Sequence, residues 1–86
     1  MTIKLKDIRK KFPKAKKILG TAEILGMGRE MDTHACVVEM KNGKTKLIVT
    51  NQGNIEEADR FFLEITISQY ADATGEAVGL LALLSS

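Results

Sequence analysis

The chain has 86 residues, 44% of them apolar and 28% charged, which is room for one domain spanning residues 1–86 and leaves neither disorder nor a large catalytic cleft as an expectation. One cysteine cannot close an internal disulfide, no signal-peptide pattern opens the chain, and the longest apolar run, Ala77 to Leu84, has 8 residues where roughly 20 span a bilayer. A soluble, cytoplasmic protein with no membrane partner is expected.

The formal net charge of +2 hides an asymmetry. Residues 1–20 hold eight basic side chains, Lys4, Lys6, Arg9, Lys10, Lys11, Lys14, Lys16 and Lys17, against Asp7 alone, a balance of +7. The other 66 residues hold five basic and ten acidic side chains, a balance of −5. The chain has a basic head and an acidic body.

Leu5, Ile8, Phe12, Ala15 and Leu19 recur at spacings of 3, 4, 3 and 4, one narrow arc of a 3.6-residue helix. This predicts a helix over Ile3 to Leu19, with the lysines and Arg9 filling the rest of its circumference. Pro13 cannot donate to the carbonyl of Arg9 and pushes Phe12 out of the α region, so a kink or two short helices in succession is expected. Gly20 reads as the C-terminal stop. Thr21 to Met31 reads as a first strand, where Gly26 and Gly28 suggest a bulge, and Asp32-Thr33 turns into the next element.

His34 to Asn51 reads as a β-hairpin. A type I′ turn needs positive φ at both central residues, which Asn42 tolerates and Gly43 takes freely. With those two residues as the whole loop, Glu39 faces Lys46, Val38 faces Leu47, Val37 faces Ile48 and Cys36 faces Val49. One face then gathers Cys36, Val38, Met40, Leu47 and Val49, while the other carries the opposite charges of Glu39 and Lys46.

Asn51 to Asn54 is loop chemistry, and Asn54 with Glu57 resembles a capping box. A helix over Ile55 to Ala73 follows, with Glu57, Arg60, Glu64 and Ser68 on one face and Ile55, Ala58, Phe61, Phe62 and Ile65 opposite. The competing reading is a fourth strand over Arg60 to Ser68, where Phe61, Leu63, Ile65 and Ile67 alternate with their neighbours. Thr74-Gly75 breaks the pattern, and Glu76 to Leu84 is a short apolar helix or buried strand. The expected fold is α+β. A three-stranded antiparallel meander is covered on one face by an N-terminal and a C-terminal helical segment, in the order α-β-β-β-α-(α).

The basic head carries the functional content. Its charges can face outward and release counterions from phosphates on binding, which points to a polyanion such as a nucleic-acid backbone contacted by Arg9, Lys10, Lys11, Lys14, Lys16 and Lys17. Lysine outnumbers arginine seven to one there, which favours phosphate contact without sequence readout, because bidentate reading of guanine prefers Arg. The bland alternative is a solvated lysine face that keeps a small protein in solution. Membrane-surface and calmodulin-target helices have a similar appearance.

Two resemblances are short. Ala71, Gly75 and Leu81 sit where a helix-turn-helix wants a small residue, a turn Gly and an apolar anchor, over about a fifth of the chain. The segment that would be its recognition helix, Glu76 to Ser86, has no Arg, Lys, Asn or Gln to reach a base edge. The order helix, three strands, helix is similar to that of double-stranded RNA-binding domains, which grip phosphates with lysines at the start of their second helix. This chain has Glu56, Glu57 and Asp59 there.

His34 and Cys36 share a strand face, yet they are two ligands where structural zinc needs four, and as base and nucleophile they lie roughly 6.6 Å apart along the strand axis. Gly26-Met-Gly-Arg-Glu-Met31 starts like a dinucleotide fingerprint but has Met31 at the third glycine position. Neither a metal, a cofactor nor enzymatic activity is expected. The reading from another class is a small regulator or inhibitor that binds a protein, including a second copy of itself as a homodimer, through Val37, Ile48, Val78, Leu80, Leu81 and Leu84.

Overall fold

The computed structural model describes residues 4–24, 33–51, 54–69 and 74–85. In chain order they form α1 (Leu5–Lys11), β1 (Ala15–Ile24), β2 (Thr33–Met40), β3 (Thr45–Asn51), β4 (Asn54–Ala58), α2 (Arg60–Gln69) and α3 (Thr74–Ser85). The fold is α+β, with the four strands in one antiparallel sheet of order β1-β2-β3-β4. The sheet therefore has four strands rather than the expected three, and its helices cover both faces rather than one. On one side Ile8 of α1 packs with Ala15, Cys36, Val38, Met40 and Ile48. On the other, Leu63 of α2 and Ala77 and Leu80 of α3 pack with Ala22, Ala35, Val37 and Leu47.

The N-terminal helix is much shorter than Ile3 to Leu19. It stops at Lys11, and Phe12 adopts φ −125° and ψ 79° ahead of Pro13, the extended-side geometry that a following proline enforces. The Phe12 N–H closes the helix on the Ile8 carbonyl at 2.7 Å, and the Ala15 N–H returns to the Phe12 carbonyl at 3.0 Å. The chain thus reverses over Pro13-Lys14 and enters β1. Leu5, Ile8, Phe12 and Ala15 still meet in one cluster, but as a helix and a strand joined by a tight turn; Leu19 belongs to the cluster on the opposite face.

Gly20 is no helix stop. It lies inside β1, where a Cβ would stand 2.7 Å from Leu83 Cδ1 and 3.4 Å from Leu80 Cδ2, so the missing side chain is what lets α3 approach the sheet. The register of β1 against β2 shifts between Ala15 and Lys17 and again between Ile18 and Gly20. The bulge expected at Gly26 and Gly28, like the Gly26 to Met31 fingerprint, falls outside the described residues.

The hairpin forms where expected, in a different register. Met40 N–H bonds the Lys44 carbonyl at 2.8 Å, and Gly43 N–H bonds the Met40 carbonyl at 2.9 Å. The loop is thus Lys41-Asn42-Gly43, with Gly43 at φ 85°, the three-residue turn that ends in a left-handed glycine. Asn42 Oδ1 accepts the Lys44 N–H at 2.9 Å and fixes it further. Val37 consequently faces Leu47, Cys36 faces Ile48 and Glu39 faces Thr45. The one-residue slip moves Leu47 and Val49 to the α2 and α3 side and separates Glu39 from Lys46. These two pair instead with Lys16 at 3.4 Å and Glu57 at 3.1 Å.

The extra strand is β4, which pairs with β3 from Asn51 opposite Asn54 to Leu47 opposite Ala58. It takes the first residues of the helix expected over Ile55 to Ala73. Helix α2 starts only at Arg60, capped by Asp59 rather than by Asn54: Asp59 Oδ1 accepts the Phe62 N–H at 3.3 Å. Arg60 to Ser68 is helical, so the competing strand there does not form, and Arg60 and Glu64 make an i,i+4 pair at 3.3 Å. Leu63 of α2 is buried and Phe62 packs partly against the same cluster, as expected of Phe62, while Phe61 and Ile65, also expected to face the core, are exposed.

Candidate functional site

Strands β1 and β2 run together from Ile24 opposite Thr33 at one end of the sheet to Ala15 opposite Met40 at the other. At this second end three segments converge: the last turn of α1, the Pro13-Lys14 turn and the β2–β3 loop. The Lys41 N–H donates to the Lys14 carbonyl at 2.9 Å, which locks the loop against the start of β1. Lys10, Lys11, Lys14, Lys16, Lys17, Lys41 and Lys44 are all exposed here.

The six basic residues singled out from the sequence divide by what holds them. The Arg9 guanidinium is committed to the fold, with Nε donating to the Ala15 carbonyl at 2.9 Å and one terminal nitrogen to the Lys16 carbonyl at 3.0 Å. Its planar fork spans two successive peptide groups and fastens α1 to the start of β1. Lys10 lies 3.8 Å from Asp7 with its side chain 80% exposed, and Lys16 lies 3.4 Å from Glu39 with 61% exposed. Pairs so open to water contribute at most about 1 kcal/mol and yield readily to a competing anion. Lys11, Lys14 and Lys17 make no ion pair among the described residues. Arg9, Lys10 and Lys11 sit in the last turn of α1, where cations also suit the negative end of the helix dipole.

Lys41 and Lys44 belong to the same surface, and the sequence reading did not include them. Their positions beside Asn42-Gly43 are plain in the chain, but only the pairing of β1 with β2 brings them to Lys14. Lys46 does not join them, because both carboxylate oxygens of Glu57 hold its ammonium at 3.1 and 3.2 Å.

The residues proposed for a protein interface separate in the same way. Val37 and Ile48 are fully buried and Leu80 nearly so, which removes them from any surface. Leu81 and Leu84 are half-buried against the α2 and α3 cluster. Val78 is 47% exposed and has Phe61, at 62%, and Ile65 as exposed apolar company on the two C-terminal helices.

Cys36 is fully buried, and desolvation pushes its thiol from 9.0 up to about 11, so it is protonated at neutral pH and a poor nucleophile. His34 Nε2 is buried without a hydrogen-bond partner among the described residues. Among those residues no three His, Cys, Asp or Glu side chains are placed to hold a metal, and no helix is long and apolar enough to cross a membrane. Gly75 lies within α3 rather than in a turn, and Ala71 falls outside the described residues, so the helix-turn-helix pattern has no matching geometry. Four strands precede α2, and Glu56 and Glu57 lie in β4, which also departs from the double-stranded RNA-binding order. No family model, no curated protein and no solved structure matches this chain.

Proposed function

We propose that this chain is a small non-enzymatic cytoplasmic binding module whose basic end takes a polyanion, foremost a nucleic-acid backbone, without reading its sequence. The observation that carries this reading is the gathering of Lys11, Lys14 and Lys17, exposed and unpaired among the described residues, at one end of the sheet. Lysines of this kind act as mobile point charges that displace counterions from phosphates. Arg9 is a positioning residue in this reading, and Lys10 and Lys16 join once the polyanion competes off Asp7 and Glu39.

The test is retention on immobilised heparin, followed by the salt dependence of binding. Three phosphate contacts set a minimum slope of about −2.7 in log affinity against log salt, steeper by about 0.9 for each further lysine engaged, and the pair Lys14→Glu with Lys17→Glu sharply weakens retention. Elution at the salt of a neutral protein, unchanged by that charge reversal, removes the reading.

A second reading, a regulator that acts through protein contacts, draws on Phe61, Ile65 and Val78. The occupant that suits these exposed side chains is a second copy of the chain, because Arg60 and Glu64 of α2 pair with each other and α3 carries Glu76 as its only charged residue, which leaves little like-charge repulsion between copies. Phe61→Glu with Val78→Glu should convert a dimer to a monomer in sedimentation; a wild type that sediments as a monomer at high concentration removes it.

A further inference from the structure

Resting on that reading, we infer that the polyanion is a double-stranded nucleic acid held through its phosphates, and that the β2–β3 loop supplies part of the grip through Lys41 and Lys44. The loop is a built feature rather than a loose tip. Gly43 is left-handed at φ 85°, Asn42 Oδ1 holds the Lys44 N–H at 2.9 Å, and the Lys41 N–H is bonded to the Lys14 carbonyl at 2.9 Å. Lys14 precedes β1, Lys41 follows β2 and Lys44 precedes β3, so with adjacent strands about 4.8 Å apart these three exposed lysines occupy neighbouring positions across the end of the sheet. Lys11 extends this group along α1, and Lys17, opposite Glu39, flanks it on the other face of the same sheet end. Positions set by backbone hydrogen bonds meet a line of phosphates with little further ordering.

The choice of duplex follows from what the other groups at this end are doing. Base reading needs a guanidinium free to follow a base edge, and Arg9 is anchored through Nε and Nη2 to the Ala15 and Lys16 carbonyls. The Asn42 carbonyl oxygen is spent on Lys44. Single strands bind well where aromatic faces stack on their bases, and the aromatic at this end, Phe12, packs against the cluster around Ile8. The exposed Phe61 is on α2, across the sheet from α1. With no stacking aromatic or free base-reading side chain at this end among the described residues, affinity follows phosphate density, and a duplex carries a charge every ~1.7 Å of axis, twice that of one strand.

The magnitudes can be set in advance. Five contacts, from Lys11, Lys14, Lys17, Lys41 and Lys44, give salt slopes of about −4.5 on duplex DNA and about −3.5 on a single strand. If the two affinities converge at about 1 M salt, the duplex is held about tenfold tighter at about 0.1 M. The longest dimension of the molecule, 34 Å, covers one turn of duplex, about 10 base pairs, so a 16-base-pair probe seats one copy with clearance.

The experiment is fluorescence anisotropy with a labelled 16-base-pair DNA duplex and each of its separate strands, from about 0.05 to 0.3 M salt. Wild type is compared with the double variant Lys41→Gln, Lys44→Gln, whose two side chains are exposed and whose backbone bonds survive; a thermal melt confirms that it folds. A duplex bound about tenfold tighter, and a loss of about 60-fold at 0.1 M with the slope falling to about −2.7 in the variant, support the inference. A single strand bound as tightly as the duplex overturns the duplex assignment while leaving the polyanion reading in place. Wild-type affinity in the double variant overturns the role of the loop. No binding to any probe together with no heparin retention overturns both this inference and the reading beneath it.

Discussion

On one face of the sheet α2 and α3, 10 and 12 residues long, lay Leu63, Ala77 and Leu80 over Ala22, Ala35, Val37 and Leu47; on the other, seven-residue α1 delivers one fully buried side chain, Ile8. A seven-residue helix does not persist in water by itself, so α1 exists through Ile8 and through the Arg9 fork on the Ala15 and Lys16 carbonyls. The two covers also differ in charge. The last turn of α1 and the sheet end beside it gather the lysines, while the outer surfaces of α2 and α3 expose Phe61, Ile65 and Val78. One cover is thick, apolar and redundant; the other is thin, charged and dependent on a few contacts.

Truncating each cover should expose that difference. Leu63→Ala removes the buried anchor of α2 and should cost about 3 to 4 kcal/mol, lowering the whole cooperative transition. Ile8→Ala should cost about 2 to 3 kcal/mol, with a local signature: amide exchange accelerates in α1 and at the start of β1, while α2 and α3 keep their protection. Uniform acceleration across both faces in the Ile8 variant would show that the thin cover is as integral to the fold as the thick one.

Cys36 reports on the same thin cover through pH. Its thiol sits beneath α1 and is pushed up to about 11, while the unfolded chain titrates near 9.0. Below pH 9 both states keep the proton and the group contributes nothing to the pH dependence. Between 9 and 11 the unfolded thiol ionises first, the unfolded state binds fewer protons, and stability falls as pH rises, by about 2 to 3 kcal/mol at the upper end. The quantity to follow is the stability difference between wild type and Cys36→Ala in urea melts from pH 8 to 11. A difference flat with pH would mean that water reaches Cys36 in the native state and that α1 does not seal its face.

The same contrast explains what the sequence disclosed. Asn42-Gly43 placed the hairpin, and a helix after Arg60 was legible while its inward face was not, since Phe61 and Ile65 are exposed. The register was not legible, because β2 is apolar at both parities, Ala35 and Val37 against Cys36 and Val38, and a sheet buried on both faces gives alternation nothing to choose. There the turn decides. Strand β4 was hidden because Asn54, Glu56 and Glu57 look like the first turn of a helix; an edge strand five residues long has few apolar positions to contradict that. The lysine run was plain in the chain. That Ala15 to Leu19 belongs to a strand, that Lys41 and Lys44 stand beside Lys14, and that Arg9 is anchored to β1 all depend on contacts between segments far apart or turned sharply on each other.

The smallest expected effect concerns Arg9, and it distinguishes a structural cation from a binding one. Arg9→Lys keeps the charge but cannot span two carbonyls with a planar fork, so it should lose about 1 kcal/mol, nearly as much as Arg9→Ala. If Arg9 only positions β1, the two variants should weaken polyanion binding alike, because each loosens the strand that carries Lys16 and Lys17, and the salt slope should stay near the wild-type value in the Lys variant. If Arg9 instead touches phosphate, the Lys variant should bind as wild type does and the Ala variant should lose about 0.9 from the slope. Urea melts and salt titrations on three proteins decide between these. The outcome also bears on the thin face as a whole: a guanidinium fastened to the backbone of β1 joins Ile8 in keeping seven residues of helix on a sheet that two longer helices cover from behind.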